Sequence, residues 1–453
     1  MSDYKLTFKL KQHTPIIHFQ HDQHGATLRS SELKPKLDKY ILMKLSEEDK
    51  TIEGNLTLYE KGYQIAKAKK WLVGKGEHPA LNYKIKIEQK PEVEHYLPLP
   101  FVAENKKEGI VEFVKNTTGV EVSILSPSPF FANADKIKFK RGSINFEETK
   151  LEELRFGVMT KQNLIGTLFT SNIELKEQLK KHIVAFFILN NFGTRQNKGF
   201  GSYSIVELEG EEIGIEKKLF GETFLYKTFS RVDNMNNIFG FILDEYQLLK
   251  SGKNFPTYKK SELFEYFVRE NIRWEKRFIK QFIDNHKILN KELYWSRKNA
   301  PIDYDEKNGT DYNEWEDRQK NDYKYIRALL GLAEQFEYRV FAERKDGDGN
   351  WVKTDDVDRS NMYVVSLKHL PHRENEKIER FQSPIFFKVI DGIIYLGINE
   401  TYDSILGEWF EFYLKFKGDR KGTEKNMGKI RVPEKFDLKD FITKHISENW
   451  RQM

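Results

Sequence analysis

A chain of 453 residues with no cysteine can hold neither a disulfide nor a cysteine-ligated zinc, and its length predicts two or three domains, each with its own core. Lys and Arg number 75 against 69 Asp and Glu, a formal net charge of +6, so any nucleic-acid surface must come from local clustering rather than bulk charge. Aromatic residues make up 14%, which argues for folded domains and supplies candidate base-stacking surfaces.

The opening MSDYKLTFKL has no basic segment followed by an apolar run, so no signal peptide is expected. Apolar runs such as Ile183–Leu189 are too short for a bilayer, and a cytoplasmic protein without membrane contact is the expectation. Lys5–Leu10 alternates as a strand, with Leu6, Phe8 and Leu10 on one face. Pro15 interrupts it, and Ile16–Phe19 reads as an edge strand or bulge. A helix follows, with Leu37, Tyr40, Ile41 and Leu45 on one face, Pro35 in its first turn and Ser30 or Ser31 as its cap. Its orphan N–H groups, with Arg29, Lys34 and Lys36 close by, could receive an anion; the plainer reading is a capped helix with solvated lysines.

Strands are predicted at Ile52–Tyr59, Tyr83–Glu88, Glu121–Leu125, Lys136–Phe139 and Leu164–Phe169, with a turn at Phe130–Asp135. A second helix opens near Ser171, whose spacing to Glu174 suits a capping box, and runs through Leu175, Leu179, Ile183, Phe186 and Phe187. The segment that organises the chain comes next, NNFGTRQNKGFGS at 190–202, followed by a strand at Tyr203–Leu208. Gly193, Gly199 and Gly201 alternate there with Arg195, Gln196, Asn197 and Lys198. Such a loop can bring backbone N–H groups to an anion, with Arg and Lys adding charge; equally, its glycines can serve only turns. Strand, helix, strands, helix and strand in this order suit an α+β fold with helices on one face of an antiparallel sheet, the layout of ferredoxin-like and RNA-recognition folds.

A polar stretch at Glu209–Gly214 marks a boundary, giving domains 1–210 and 211–453. Beyond it, a strand is predicted at Thr223–Ser230 and helices at Lys260–Ile283 and Tyr323–Gln335. The polar, charged residues 295–320 read as a long insertion. Strands follow at Met362–Lys368, Ile385–Ile390 and Gly392–Ile398, then a helix at Ser404–Phe416, a basic loop at Lys417–Lys429 and a closing helix at Phe436–Trp450. Arg273, Lys276, Arg277 and Lys280 would line one basic helical face, which either tracks phosphates or simply faces water.

The LTFKLKQHTPIIHF strand, the LRSSELKPKLDKYI helix and the distant FGTRQNKGFGS loop together resemble the RAMP superfamily of CRISPR-associated proteins. Within it they are most similar to the first subunit of the type III-B Cmr effector complex. Thr14 and Pro15 fit the TP element of the family's first strand; Arg29, Ser31, Leu33 and Lys34 fit its R-x-[ST]-x-[IL]-K segment; Gly193, Arg195 and Lys198–Ser202 fit its glycine-rich loop. RALLGL at Arg327–Leu332 and ERFQSPIFFKVI at Glu379–Ile390 look like segments of a second RRM-like domain. Asn197 stands where the family often has a second basic residue.

The resemblance implies two ferredoxin-like domains and a non-catalytic RNA-binding subunit in antiviral defence. Its partners would be the 3′ region of guide RNA, single-stranded target RNA and other RAMP subunits. It also implies RNA phosphate contacts from Arg29, Ser31, Lys34, Arg195, Lys198 and the loop backbone. No cofactor or metal is expected. The rival enzyme reading is a metal-independent RAMP endoribonuclease using His18, His21 or His24, since histidine titrates near neutrality. A generic single-stranded RNA scaffold is the third. No Walker loop or dinucleotide fingerprint is present, and Asp346 and Asp348 lack the terminal Glu of a calcium loop.

Overall fold

The alternation of Leu6, Phe8 and Leu10 is realised in the strand Lys5–Gln12, which in the computed structural model is central to a five-stranded antiparallel sheet. The structure describes residues 3–18, 27–48, 56–74, 79–88, 92–133, 136–137, 139–140, 143–144, 149–253, 259–279, 282, 323–332, 335–345, 351–371, 378, 380–399, 402–416, 424–446 and 448–453. The predicted insertion 295–320, His21 and His24, and the pair Asp346 and Asp348 lie outside these residues.

Two compact units emerge. The first comprises Met1–Tyr246, Ile385–Ile398 and Ile446–Met453; the second comprises Gln247–Pro384 and Asn399–His445. In the first unit the sheet runs Glu211–Glu212, Tyr203–Leu208, Lys5–Gln12, Leu164–Phe169, Lys84–Ile87. Helices α1 (Ser30–Glu48) and, later in the chain, Ile173–Leu189 bury their apolar stripes with it. Leu33, Leu37 and Ile41 meet Leu179, Ile183, Phe186 and Phe187 in one core with Leu6, Phe8 and Leu10. Burial of such side chains contributes about 1.5–3 kcal/mol each, which is why these periodicities survive into the fold. Where Phe8 crosses the sheet, its partner Gly166 leaves the space its ring occupies.

Several predicted elements change. Arg29, not Ser30 or Ser31, opens α1, because its carbonyl accepts the N–H groups of Glu32 and Leu33; Pro35 therefore falls in the second turn. The end of the predicted strand Ile52–Tyr59 is instead the start of helix α2 (Leu58–Ala68), which Thr57 and Glu60 open with a reciprocal capping box. Helix α3 (Glu104–Thr118), which the periodicity did not single out, packs Ile110 and Val114 beside a three-stranded sheet of Glu94–Pro98, Val122–Leu125 and Gly157–Met159. Asn172 rather than Ser171 caps helix α4 (Ile173–Leu189), through a side-chain bond to Leu175 N–H at 2.9 Å. The predicted strand Lys136–Phe139 begins only at Phe139, as Phe139–Lys140.

The first unit also holds a four-stranded sheet: Ile385–Ile390, Ile393–Ile398, Phe224–Thr228, Trp450–Gln452. Its hairpin turns at Asp391 and Gly392, both at positive φ, as a tight two-residue connection requires. Ile385–Ile390, expected to rebuild a second domain, thus pairs inside the first unit. Helix α5 (Met235–Lys250) follows Phe224–Thr228.

In the second unit a six-stranded sheet runs Arg273–Trp274, Tyr323–Lys324, Glu424–Arg431, Trp409–Phe416, Trp351–Leu370, Gln335–Lys345. The predicted helix Lys260–Ile283 is broken. Helix α6 (Glu262–Arg269) ends before Asn271 at φ 57, a short strand follows, and helix resumes at 275–279. Arg273 therefore leaves the predicted basic helical face, and Lys280 lies outside the described residues. Tyr323–Gln335 is not a helix but a short strand and a 3₁₀ turn that stops at Gly331, φ 104. Ser404–Phe416 becomes mostly strand because WFEFYLKF alternates: Phe410, Phe412 and Leu414 are buried, and aromatics suit a half-buried pleat. Part of the predicted basic loop is the strand Glu424–Arg431, and the closing helix α7 shortens to Leu438–His445.

Candidate nucleic-acid interface

The segment Asn190–Ser202 leaves the end of α4 and returns into the strand Tyr203–Leu208, so the core fixes both of its ends. Asn191 and Ser202 bridge across its base, and Phe192 N–H donates to Gly201 O at 2.9 Å. Gly201 sits at φ 66, and a Cβ there would lie 1.9 Å from the Phe192 carbonyl oxygen; only glycine can close this turn.

The first strand's TP element holds the loop from one side. Thr14 Oγ1 donates to Gly199 O at 2.7 Å and accepts Ser202 N–H at 2.9 Å. Pro15 O accepts Gly201 N–H at 2.9 Å, and Ile17 O accepts Thr194 N–H at 2.7 Å. Helix α1 holds it from another. The Glu32 carboxylate accepts Gly193 N–H. Lys36 Nζ donates to Asn191 O at 2.8 Å and to the Gln196 side-chain oxygen, 5.1 Å from the Phe192 ring centre. Burial pushes the Lys36 pKa down, against the pull of Glu32.

Many of the loop's N–H groups are therefore spent inside the protein: those of Lys198 and Gly199 close local turns onto Arg195 O and Gln196 O. Of the loop's two cations, only Arg195 is presented outward. Lys198 is buried with its amine over the Tyr246 ring, and Asn197 O accepts Phe387 N–H at 3.1 Å. Arg195 is exposed, at φ 57, with its guanidinium carbon 5.9 Å from the Phe130 ring centre.

The start of α1 divides similarly. Lys34 turns to Asp38 at 2.9 Å and Leu81 O at 3.0 Å, 4.0 Å over the Tyr83 ring, and does not join the loop. Ser31 is exposed. Arg29 Nε and one terminal nitrogen are shielded from solvent yet find no hydrogen-bond partner among the described residues. A guanidinium so placed at a helix N-terminus is poised for an oxyanion, because an unpaired charged donor is costly to keep.

The histidines divide as well. His13 Nε2 lies 2.8 Å from Ser204 Oγ, its Nδ1 accepts Asp391 N–H at 3.2 Å, and burial lowers its pKa, which favours the neutral ring. His18 is buried 3.8 Å from Glu32. Among the described residues no group of three or more His, Asp or Glu could hold a metal ion, and no helix is long and apolar enough to cross a membrane.

Sequence reasoning missed Lys388. It is fully buried on the strand Ile385–Ile390, and its amine donates to Phe187 O at 2.7 Å, Asn190 O at 2.8 Å and Tyr203 O at 2.9 Å. It thereby ties off the end of α4 and the root of the glycine-rich loop. Burial pulls its pKa down, while three acceptors match the three donors of an ammonium. A lysine inside the apolar run IFFKVI was the available signal.

Two family models match the chain: the Cmr1 N-terminal domain over residues 3–253 and the Cmr1 C-terminal domain over residues 258–453. No curated protein matches. A solved chain from the Type III-B Cmr-beta complex, determined by cryo-EM bound to cognate target RNA and AMPPnP in the presence of ssDNA, aligns at 14% identity. That alignment covers 57% of this chain and 67% of the other, with a TM-score of 0.26.

Proposed function

The chain belongs to the Cmr1 family, and from that premise we propose that it is a non-catalytic, RNA-binding subunit of a type III-B Cmr complex acting in CRISPR interference and antiviral defence. The observation that carries the RNA-binding part is Arg29, whose shielded guanidinium nitrogens lack a partner among the described residues at the N-terminus of α1. Exposed Arg195 on the adjoining loop supplies a second cation. Arg29, Ser31, Arg195 and the Gln196–Asn197 turn contact RNA phosphates. Lys34, Lys36, Lys198, Gly193, Gly199 and Gly201 shape the elements that present them. Phosphate contacts of this kind position the strand without reading its sequence, as a subunit holding diverse guides and targets requires.

We read the strands Tyr203–Leu208, Lys5–Gln12, Leu164–Phe169 and Lys84–Ile87, with α1 and α4 on one face, as a ferredoxin-like domain. In sequence order this is the 4-1-3-2 arrangement of a βαββαβ unit. The second unit is its diverged, cytoplasmic companion. Guide RNA, target RNA and sister RAMP subunits are the partners.

The test is a tagged pull-down from the host with wild-type chain and with Arg29→Gln plus Arg195→Gln. Guide RNAs of discrete lengths should co-purify with sister subunits, and the double variant should keep the subunits while losing direct RNA crosslinks. Recovery of unprocessed repeat RNA alone, cut by the purified chain in chelator, would replace this reading with the histidine nuclease.

A further inference from the structure

Phe130 is buried, packs edge-on to Phe200 of the glycine-rich loop at 6.3 Å, and Phe200 stacks on Phe239 at 4.2 Å. The residue that follows it, Phe131, is 50% exposed. Phe101 is 77% exposed, the largest value for a large apolar side chain among the described residues. The segments bearing these two rings are fastened together. Asn133 Nδ2 donates to Pro98 O at 3.0 Å, Ser128 N–H to Leu99 O at 3.0 Å, and Val102 N–H to Ser126 Oγ at 2.8 Å. Arg195 lies against Phe130. Phe131 directly follows Phe130 in the chain, so its backbone is fixed about 3.8 Å from that of the residue the guanidinium lies against.

We propose that Phe131 and Phe101 are a stacking platform for unpaired bases of the RNA whose phosphates meet Arg195, an inference that rests on the RNA-binding reading. Both rings leave half or more of their surface to solvent, yet they stand on segments that hydrogen bonds fasten together. Every base offers a π face, so such a platform tolerates any sequence, and the neighbouring cation matches a polyanion. The charge beside the rings is what favours nucleic acid over an apolar protein surface.

The experiment uses the full chain with a short single-stranded oligouridine RNA carrying one 2-aminopurine. Wild type should quench the probe's fluorescence on binding. Phe101→Leu with Phe131→Leu, which keeps apolar bulk, should lose the quenching and bind more weakly by roughly 5- to 150-fold for each ring removed, with the salt slope unchanged. Arg195→Gln should instead lower the slope. Wild-type affinity and quenching in the leucine variant, with binding still sensitive to Arg195, overturns the platform and leaves the RNA reading intact. Intact RNA binding but failed capture of a sister subunit overturns it too, reassigning the rings to a protein contact. If wild type itself binds no RNA, the function reading fails and the platform with it.

Discussion

The amine of Lys388 donates to the carbonyl oxygen of Phe187 at 2.7 Å across 201 positions of sequence. With Asn190 O and Tyr203 O it occupies the negative end of α4, where a helix leaves carbonyls unpaired. Lys388→Met should strand these acceptors in the interior and cost about 3 kcal/mol. Urea unfolding of the purified chain checks this, and an unmoved midpoint would refute the tie.

Gly201 and Gly119 both adopt positive φ, 66 and 71, but a Cβ at Gly119 meets nothing within 4 Å. Gly119→Ala should therefore cost only about 1 kcal/mol of backbone strain, while Gly201→Ala also drives a methyl into the Phe192 carbonyl and should cost more than twice that. Side-by-side thermal melts decide; equal shifts would show that the loop can relax.

Exposed Arg195 and buried Lys198, three residues apart, should respond differently. Arg195→Gln should leave stability within about 0.5 kcal/mol and lower the salt slope of RNA binding by about 0.7 for each phosphate left without its cation. Lys198→Gln should lower the melting temperature and leave the slope of the folded fraction unchanged. Anisotropy titrations at several salt concentrations, with melts alongside, separate them.

Burial pushes the Lys250 amine down to about 7 from 10.5, with Arg327 adding like charge and Glu275 opposing. The folded pKa lies below the unfolded one, so between these values the unfolded chain holds more protons and stability rises with pH. This contribution is lost as pH falls through about 7. The urea midpoint of wild type, relative to Lys250→Met, should climb from about pH 6.5 to about pH 9.5. A constant difference between the two proteins would exclude it.

Legibility in the sequence followed the period of the core. Leu6, Phe8 and Leu10, and the α4 stripe, declared themselves because each element buries one face only. Trp409–Phe416 was misread because its aromatics occupy both faces and mimic a helical run. Asn271 ended α6 with no glycine or proline to announce it. At the candidate site, the glycines were legible from residue type and the TP element from the family resemblance. Their partners were not: Glu32 serves the loop from a helix, and Lys388 reaches it from a strand nearly two hundred residues later.

The four-stranded sheet of the first unit has a consequence for synthesis. Its strand Phe224–Thr228 lies between Ile393–Ile398 and Trp450–Gln452, and Trp450 emerges 222 positions after Thr228. At 5–20 residues per second a ribosome needs about ten to forty-five seconds for that interval. Phe220 and Phe224, buried against Tyr395 in the finished protein, must spend part of it uncovered, so the nascent chain is a natural client for chaperones until its tail arrives.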